Sequence, residues 1–255
     1  MRIATWNDNS IRARLDRLLA FLQREAPDVV CLQELKVPDE DFPFEAIRAA
    51  GYHAAVHGQR TYNGVAVLSR AVPAEVITGL GDGVVDEQAR LIAATVDGIR
   101  VVSAYVPNGQ AVGSDKWAYK LAWLDRLGGW LDRYQGAGTP LVLSGDFNVA
   151  PEDRDVARPE EWRGSVLCHE AARAALQGVL SRGLVDTIRL HDPGPGPWSW
   201  WDYRQLAFPK GNGLRIDHVF ATQDLARRST AARVDRDERK GKVPSDHAPV
   251  IVDFA

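Results

Sequence analysis

Cysteine is nearly absent: Cys31 and Cys168 are the only two in 255 residues. Cys31 sits in the apolar run Val29-Val30-Cys31-Leu32. Both are read as small core residues, which excludes a secreted disulfide framework. No apolar run approaches the about 20 residues needed to cross a bilayer. The opening Met1-Arg2-Ile3-Ala4-Thr5-Trp6-Asn7 lacks the apolar centre of a signal peptide. A reducing cytoplasm is therefore the expected compartment, with no membrane partner. There is no basic excess either, since the formal net charge is −3. Bulk charge thus does not announce nucleic-acid binding, although a carboxylate-lined site and a basic rim can cancel in the sum. No Cys/His cluster offers a zinc site; His53 and His57 have no cysteine near them and read as polar strand residues. Gly79-Leu80-Gly81-Asp82-Gly83 lacks the Lys-Ser/Thr pair of a phosphate-binding loop. Neither a repeat nor a linker interrupts the chain, so residues 1–255 are expected to form one domain. With 45% hydrophobic residues it can build a core without staples.

What is present is an alternation of strand-like and helix-like segments. Arg2–Trp6 reads as a strand. Leu15, Leu18, Leu19 and Leu22 recur at helical spacing within Ile11–Glu25, and Pro27 follows. Asp28–Gln33 is a buried strand, and Tyr52–His57 and Gly64–Ser69 read as a pair. Arg90–Val96 and Ile99–Val106 form a hairpin through Asp97-Gly98. Asp115–Tyr134 and Glu170–Ser181 are helices. Pro140–Ser144, Gly213–Ala221 and Ala248–Phe254 are strands. Many strands, few helices and no period predict an α/β domain with two packed sheets. Three long loops, Gly79–Ala89, Ala150–Leu167 and His191–Asn212, are candidates for function.

The chemistry-bearing residues fall at strand ends, where a scaffold fixes direction while the backbone leaves the sheet. Asn7, Glu34, Asp146 with Asn148, Asp217, and Asp246 with His247 all lie there. Four carboxylates with one histidine suit a hard cation, which prefers oxygen ligands. Singly, each signal has a plainer reading. Asp-x-Asn makes turns, Tyr105 fits an apolar strand, and Ser-Asp-His can be a turn. Trp198, Trp200 and Trp201 crowd one proline-containing loop and are candidates for a stacking surface. Trp117, Trp123 and Trp130 read as packing residues of a helix.

Taken in order, the set is recognisable. It comprises Trp6-Asn7, Ser10-Ile11-Arg12-Ala13-Arg14, Gln33-Glu34, Tyr105-Val106-Pro107-Asn108-Gly109 and Gly145-Asp146-Phe147-Asn148. It continues with Ser199-Trp200-Trp201-Asp202-Tyr203-Arg204, Gly213-Leu214-Arg215-Ile216-Asp217 and Pro244-Ser245-Asp246-His247-Ala248-Pro249. This resembles the exonuclease III family of abasic-site endonucleases, within the endonuclease/exonuclease/phosphatase superfamily.

The resemblance implies a DNase I-like, four-layered α/β sandwich: two mixed sheets flanked by helices. It implies a magnesium-dependent hydrolase that cuts the DNA backbone 5′ to abasic sites and trims 3′ ends, with manganese as an alternative cation. Its partner would be double-stranded DNA carrying abasic sites or blocked 3′ ends, and the enzyme a monomer. Glu34 would hold the metal with Asn7 and Asp246; Asp146, Asn148 and His247 stand in the candidate ligand set as well. Asp146 would activate water, Asn148 and Tyr105 would act on the phosphate, and His247 would work with Asp217. Trp200 would line a pocket for a flipped sugar, and Asn108, Lys116, Lys120 and Arg215 would contact DNA. One position departs from the pattern. Asp8 stands where the family has an apolar residue. If Asn7 faces the site then Asp8 faces away, and it needs solvent or a partner such as an arginine. Two other readings stay open: a superfamily phosphoesterase acting on inositol phosphates or phospholipid head groups, and a non-catalytic DNA-binding module.

Overall fold

A computed structural model describes residues 1–134 and 138–255 of the chain. The first half runs β1 (Arg2–Asn7), α1 (Ile11–Glu25), β2 (Val29–Gln33), α2 (Phe44–Ala49), β3 (His53–His57), β4 (Val65–Ser69), β5 (Ala74–Thr78), β6 (Leu91–Val96) and β7 (Ile99–Tyr105). After α3 (Asp115–Tyr134) come β8 (Leu141–Asp146), α4 (Pro159–Trp162), α5 (Glu170–Leu180), β9 (Leu184–Asp186) and α6 (Thr187–His191). The last elements are β10 (Asp217–Thr222), α7 (Gln223–Ala226), β11 (Ser229–Val234) and β12 (Val250–Phe254).

The strands form two sheets, ordered β11-β12-β1-β2-β4-β3 and β5-β6-β7-β8-β10-β9. Each is mixed, because β1 pairs β2 and β7 pairs β8 in parallel while the other neighbours are antiparallel. Side chains alternate across each strand, and the alternation sorts them into layers. Val29 and Cys31, with Val65 and Val67, face Ile92, Ala94, Val101 and Val142 of the other sheet. Their neighbours Val30, Leu32, Ala66 and Leu68 face the other way, onto Leu18, Phe21 and Leu22 of α1. On the opposite flank Val102, Ala104, Leu141 and Leu143 pack on Trp123, Leu127 and Trp130 of α3 and Leu176 of α5. The result is helices, sheet, sheet, helices, as expected from the resemblance. Because both faces of the central strands are covered, they read as unbroken apolar runs.

Local features follow from local chemistry. Ser10 caps α1, its hydroxyl accepting from the Ala13 amide at 3.4 Å. Asp97 and Gly98 both adopt positive φ, 48° and 78°, as a two-residue hairpin turn requires. Some elements lay outside the sequence reading. The strands β5, β9 and β11 are weakly apolar or short, and α2, α6 and α7 have at most six residues. The strand expected over Gly213–Ala221 is shorter: β10 begins at Asp217, and residues 213–216 form a loop bridged to Trp200 and Val156 through Leu214. Both cysteines are free and buried. Among the described residues, no helix is long and apolar enough to cross a membrane.

Candidate active site

Register places the functional side chains. In one sheet Tyr105 pairs with Asp146, which pairs with Asp217, so three polar side chains share the ends of β7, β8 and β10. In the other sheet Asn7 pairs with Gln33 where β1 and β2 end, and Glu34 follows. The two sets meet across the sandwich: Asn7 Nδ2 donates to Glu34 Oε1 at 2.8 Å and to Asp146 Oδ2 at 2.9 Å. The backbone is bent into place at this edge. Glu34 and Asn148 hold φ of 56° and 49°, left-handed values that cost non-glycine residues energy and gather at functional sites. Gly145 precedes Asp146 with φ 143°, and a Cβ there would lie 1.9 Å from the Ala104 carbonyl oxygen, so only glycine fits.

His247 is buried between two carboxylates. Its Nδ1 lies 2.9 Å from Asp217 Oδ2, and its Nε2 lies 3.7 Å from Asp146 Oδ2. Asp217 in turn accepts the Ser199 hydroxyl at 2.6 Å. Burial works against a charged imidazole, but Asp217 and Asp146 outweigh it and raise the His247 pKa to about 10. Asp146 is fully buried. Desolvation raises its pKa to about 7, His247 opposes this, and Asp217 adds to it. Tyr105 is pushed well above the ordinary phenol range by burial and then by the charges of Glu34 and Asp146. The Arg90 guanidinium sits 4.7 Å from the centre of the Tyr105 ring.

Glu34, Asp146 and His247 each offer a ligand atom, and these atoms lie within 4.8 Å of one another. The two carboxylates at this spacing fit a divalent cation that takes oxygen donors, whereas His247, protonated on both ring nitrogens, stands beside that position without a lone pair to offer. The other expected ligands are placed differently. Asn7 turns its NH2 group to the carboxylates while its Oδ1 accepts from the Asn9 amide at 3.0 Å. Asn148 Oδ1 accepts from Asn108 Nδ2 at 3.0 Å, and its own Nδ2 donates to Val106 O and Asp146. Asp246 is held by Asn9 Nδ2 and Trp200 Nε1, each at 2.9 Å. Burial would raise its pKa, but the His247 charge and these hydrogen bonds bring it below the ordinary carboxylate value.

Two of the four expected DNA contacts are not at the surface. Lys120 is buried, and its ammonium donates to the backbone oxygens of Asn108, Asn148 and Val166 at 3.1, 2.6 and 2.6 Å. It ties three site loops together and has no donor left for a phosphate. Arg215 is buried too, its guanidinium taken by Asp155 and Asp186, each at 2.7 Å. Asn108 and Lys116 remain exposed. The tryptophan cluster also divides: Trp201 is fully buried in a small core of its own, while Trp200 lies edge-on to Trp162 and 6.5 Å from the His247 ring. Asp8 reaches no solvent and no hydrogen-bonded arginine, although the Arg14 charge acts on it from a distance. It is buried, both carboxylate oxygens lack a partner, and desolvation followed by the Glu34 charge raises its pKa well above normal.

Four residues were not singled out from sequence. Ser199 orients Asp217. Ser245 accepts from the His247 amide and donates to Asn7 O, joining β1 to the last loop. Lys36 Nζ lies 2.9 Å from Glu34 Oε2 and also donates to Asn9 Oδ1. The two serines and Asn9 stood inside recognised motifs; Lys36 carried no spacing signal, because its role depends on a loop that brings it to Glu34 and Asn9.

The fold and the sequence are similar to those of known proteins. Residues 4–247 match the model of the Endonuclease/Exonuclease/phosphatase family. Exodeoxyribonuclease III of Haemophilus influenzae is 34% identical over 266 residues, covering 100% of both chains. A structure of the 3′ phosphatase NExo from Neisseria, bound to a product DNA hairpin, superposes with a TM-score of 0.98 at 41% identity, covering 100% of this chain and 99% of that one. An AP endonuclease from Archaeoglobus fulgidus gives a TM-score of 0.96 at 39% identity with the same coverage. From the strand-end carboxylates, the shared layers and a match spanning nearly every residue, this chain belongs to the endonuclease/exonuclease/phosphatase family, a metal-dependent hydrolase family.

Proposed function

We propose that this protein is a DNA-repair phosphodiesterase that hydrolyses the DNA backbone 5′ to abasic sites and trims 3′ ends, using magnesium or manganese. The observation that carries the reading is the meeting of Glu34, Asp146 and His247 within 4.8 Å, with Asp217 behind the histidine. The relatives support the substrate class, since they are named exodeoxyribonuclease III, AP endonuclease and 3′ phosphatase. Glu34 and Asp146 are the residues that would hold the cation, with His247 at its edge. A divalent ion bound there supplies Lewis-acid polarisation of a phosphoryl oxygen.

The chain's own groups do the rest. Asp146, ionised, accepts a proton from the attacking water. His247 stays an imidazolium because Asp217 holds Nδ1–H, so its Nε2–H is free to donate to the phosphate as negative charge builds. Asn108 gives one amide hydrogen to Asn148 Oδ1 and presents the other at the same edge, while Asn148 Nδ2 is spent on Val106 O and Asp146 and serves to fix both. Trp200 bounds the pocket for the extruded sugar, with Trp162 and Leu214 behind it. We read residues 1–255 as one domain acting as a monomer.

A cleavage panel tests this: abasic, 3′-phosphate, recessed and intact duplexes, each with Mg²⁺, Mn²⁺ or EDTA. Metal-dependent nicking of the abasic duplex, or release from the blocked 3′ ends, is expected. Turnover confined to inositol phosphates would overturn the assignment.

A further inference from the structure

Lys36 stands out among the polar groups that the proposed reaction does not use. Its ammonium lies on the outer oxygen of the candidate metal carboxylate, 2.9 Å from Glu34 Oε2. The inner oxygen, Oε1, is held by Asn7. Both Glu34 oxygens are therefore engaged within the protein. The second acceptor of Lys36 is Asn9 Oδ1, and the Asn9 NH2 group reaches Asp246. Lys36 thus closes a polar chain running from Glu34 through Asn9 and Asp246 to Trp200.

The backbone makes this pairing firm and the side chain makes it reversible. Glu34 and Lys36 both adopt left-handed φ, 56° and 58°. The intervening amides are pinned to the facing loop, Leu35 N to Gly64 O at 3.1 Å and Lys36 N to Asn63 O at 3.0 Å. The main chain cannot withdraw the lysine, but the four-carbon stem can. Its side chain is 28% exposed, against 18% for Glu34, so a path to solvent exists for the ammonium. A lysine ammonium is a compact point charge on a flexible stem, able to stand in for a cation and to leave. A divalent ion held by Glu34 and Asp146 would share the Glu34 carboxylate with the ammonium, and the repulsion of two cations on one carboxylate favours release of the weaker, tethered one.

We propose that Lys36 is a tethered counter-ion for the metal site: it neutralises Glu34 in the metal-free enzyme and is displaced when the divalent cation binds. This rests on the metal-dependent reading of the site. It makes metal affinity weaker than the carboxylates alone would give, by roughly the worth of a half-exposed ion pair.

The test is titration of the DNA-free protein with MgCl₂ and MnCl₂ by calorimetry. Lys36→Met, which keeps the stem and removes the charge, binds about two- to fivefold tighter than wild type, as loss of such a pair requires. Lys36→Arg, whose fork can grip the carboxylate with two donors, binds no tighter than wild type. Equal or weaker binding by Lys36→Met overturns the proposal. A second measurement uses the unaltered protein and separates displacement from diffuse repulsion. Acetylation of Lys36, followed by peptide mass spectrometry, rises several-fold in saturating Mg²⁺ over EDTA, while Lys116 is unchanged. Unchanged Lys36 reactivity with metal bound overturns displacement alone. Absence of metal binding in wild type at millimolar concentration overturns both this inference and the metal reading beneath it.

Discussion

Asp146 is held away from its ordinary protonation by burial and His247 by the carboxylates of Asp217 and Asp146, and the two set the pH response. Asp146 works as a base only when ionised. Its pKa of about 7 belongs to the metal-free state, and a bound cation lowers it. Activity therefore rises with pH on a limb whose midpoint lies at or below about 7. His247, raised to about 10 in the metal-free state, works as an acid only when protonated; a nearby cation lowers that value, so activity falls on a limb whose midpoint lies at or below about 10. Asp217→Asn removes the carboxylate that raises His247 and moves the falling limb to lower pH; a pH profile of single-turnover cleavage with an unmoved limb would reject the pairing. Asp146→Asn keeps the shape of the site but cannot take a proton. Turnover should drop by about two to four orders of magnitude, with DNA affinity changed only a few-fold. Single-turnover kinetics beside a binding titration separates the two.

Arg215 shows how an element can shape a site without touching substrate. It sits in the segment leading into β10, and its guanidinium binds Asp155 of the Ala150–Leu167 loop and Asp186 at the end of β9. Arg189 adds a second cation to Asp155 and also grips the carbonyls of Asp192, Gly194 and Gly196. Two long loops are thus tied to the strand that carries Asp217. Arg215→Met leaves Asp155 with Arg189 alone and Asp186 without its guanidinium, and should cost about 3 kcal/mol in urea unfolding, the low end for a broken buried pair. The salt dependence of DNA binding should keep its slope, because no phosphate contact is lost. A slope reduced by about one unit would restore the expected contact. On the neighbouring loop, Trp200→Ala opens the wall of the pocket while leaving Trp201 in its core. Abasic discrimination should weaken more than general affinity; equal losses on intact and abasic duplexes would contradict the wall.

For the molecule as a whole, the site lies where both parallel strand pairs end. The fold does not depend on a cation to stand. Asn7 bridges the two main carboxylates, Lys36 covers Glu34, and three hydrophobic layers hold the sandwich independently. Chelation should abolish cleavage without unfolding. A thermal melt in EDTA should fall only by the modest linkage term of a dissociable ligand, about 2.7 kcal/mol at a hundredfold excess over Kd. Loss of the cooperative melt in EDTA would show that the metal is structural instead.

The amino-acid order alone determined the layers and the chemistry's addresses. Apolar runs such as Val29–Leu32 and Leu141–Leu143 can be satisfied only between two covered faces. Asn7, Glu34, Asp146, Asp217 and His247 mark the ends of such runs, and side-chain alternation set the faces of their neighbours. Fate at those addresses was decided in three dimensions. Lys120 and Arg215 look like phosphate contacts in a linear string, yet distant carbonyls and carboxylates consume their donors. Trp200 and Trp201 are adjacent in sequence, yet one lies half-buried beside Trp162 and His247 while the other is fully buried in a core. Asp8 is buried without a partner, which no spacing announces. Lys36 meets Glu34 only because two left-handed residues fold one loop back. Periodicity records what a residue is next to along the chain, whereas hydrogen bonds and charge pairs depend on which other segments arrive beside it.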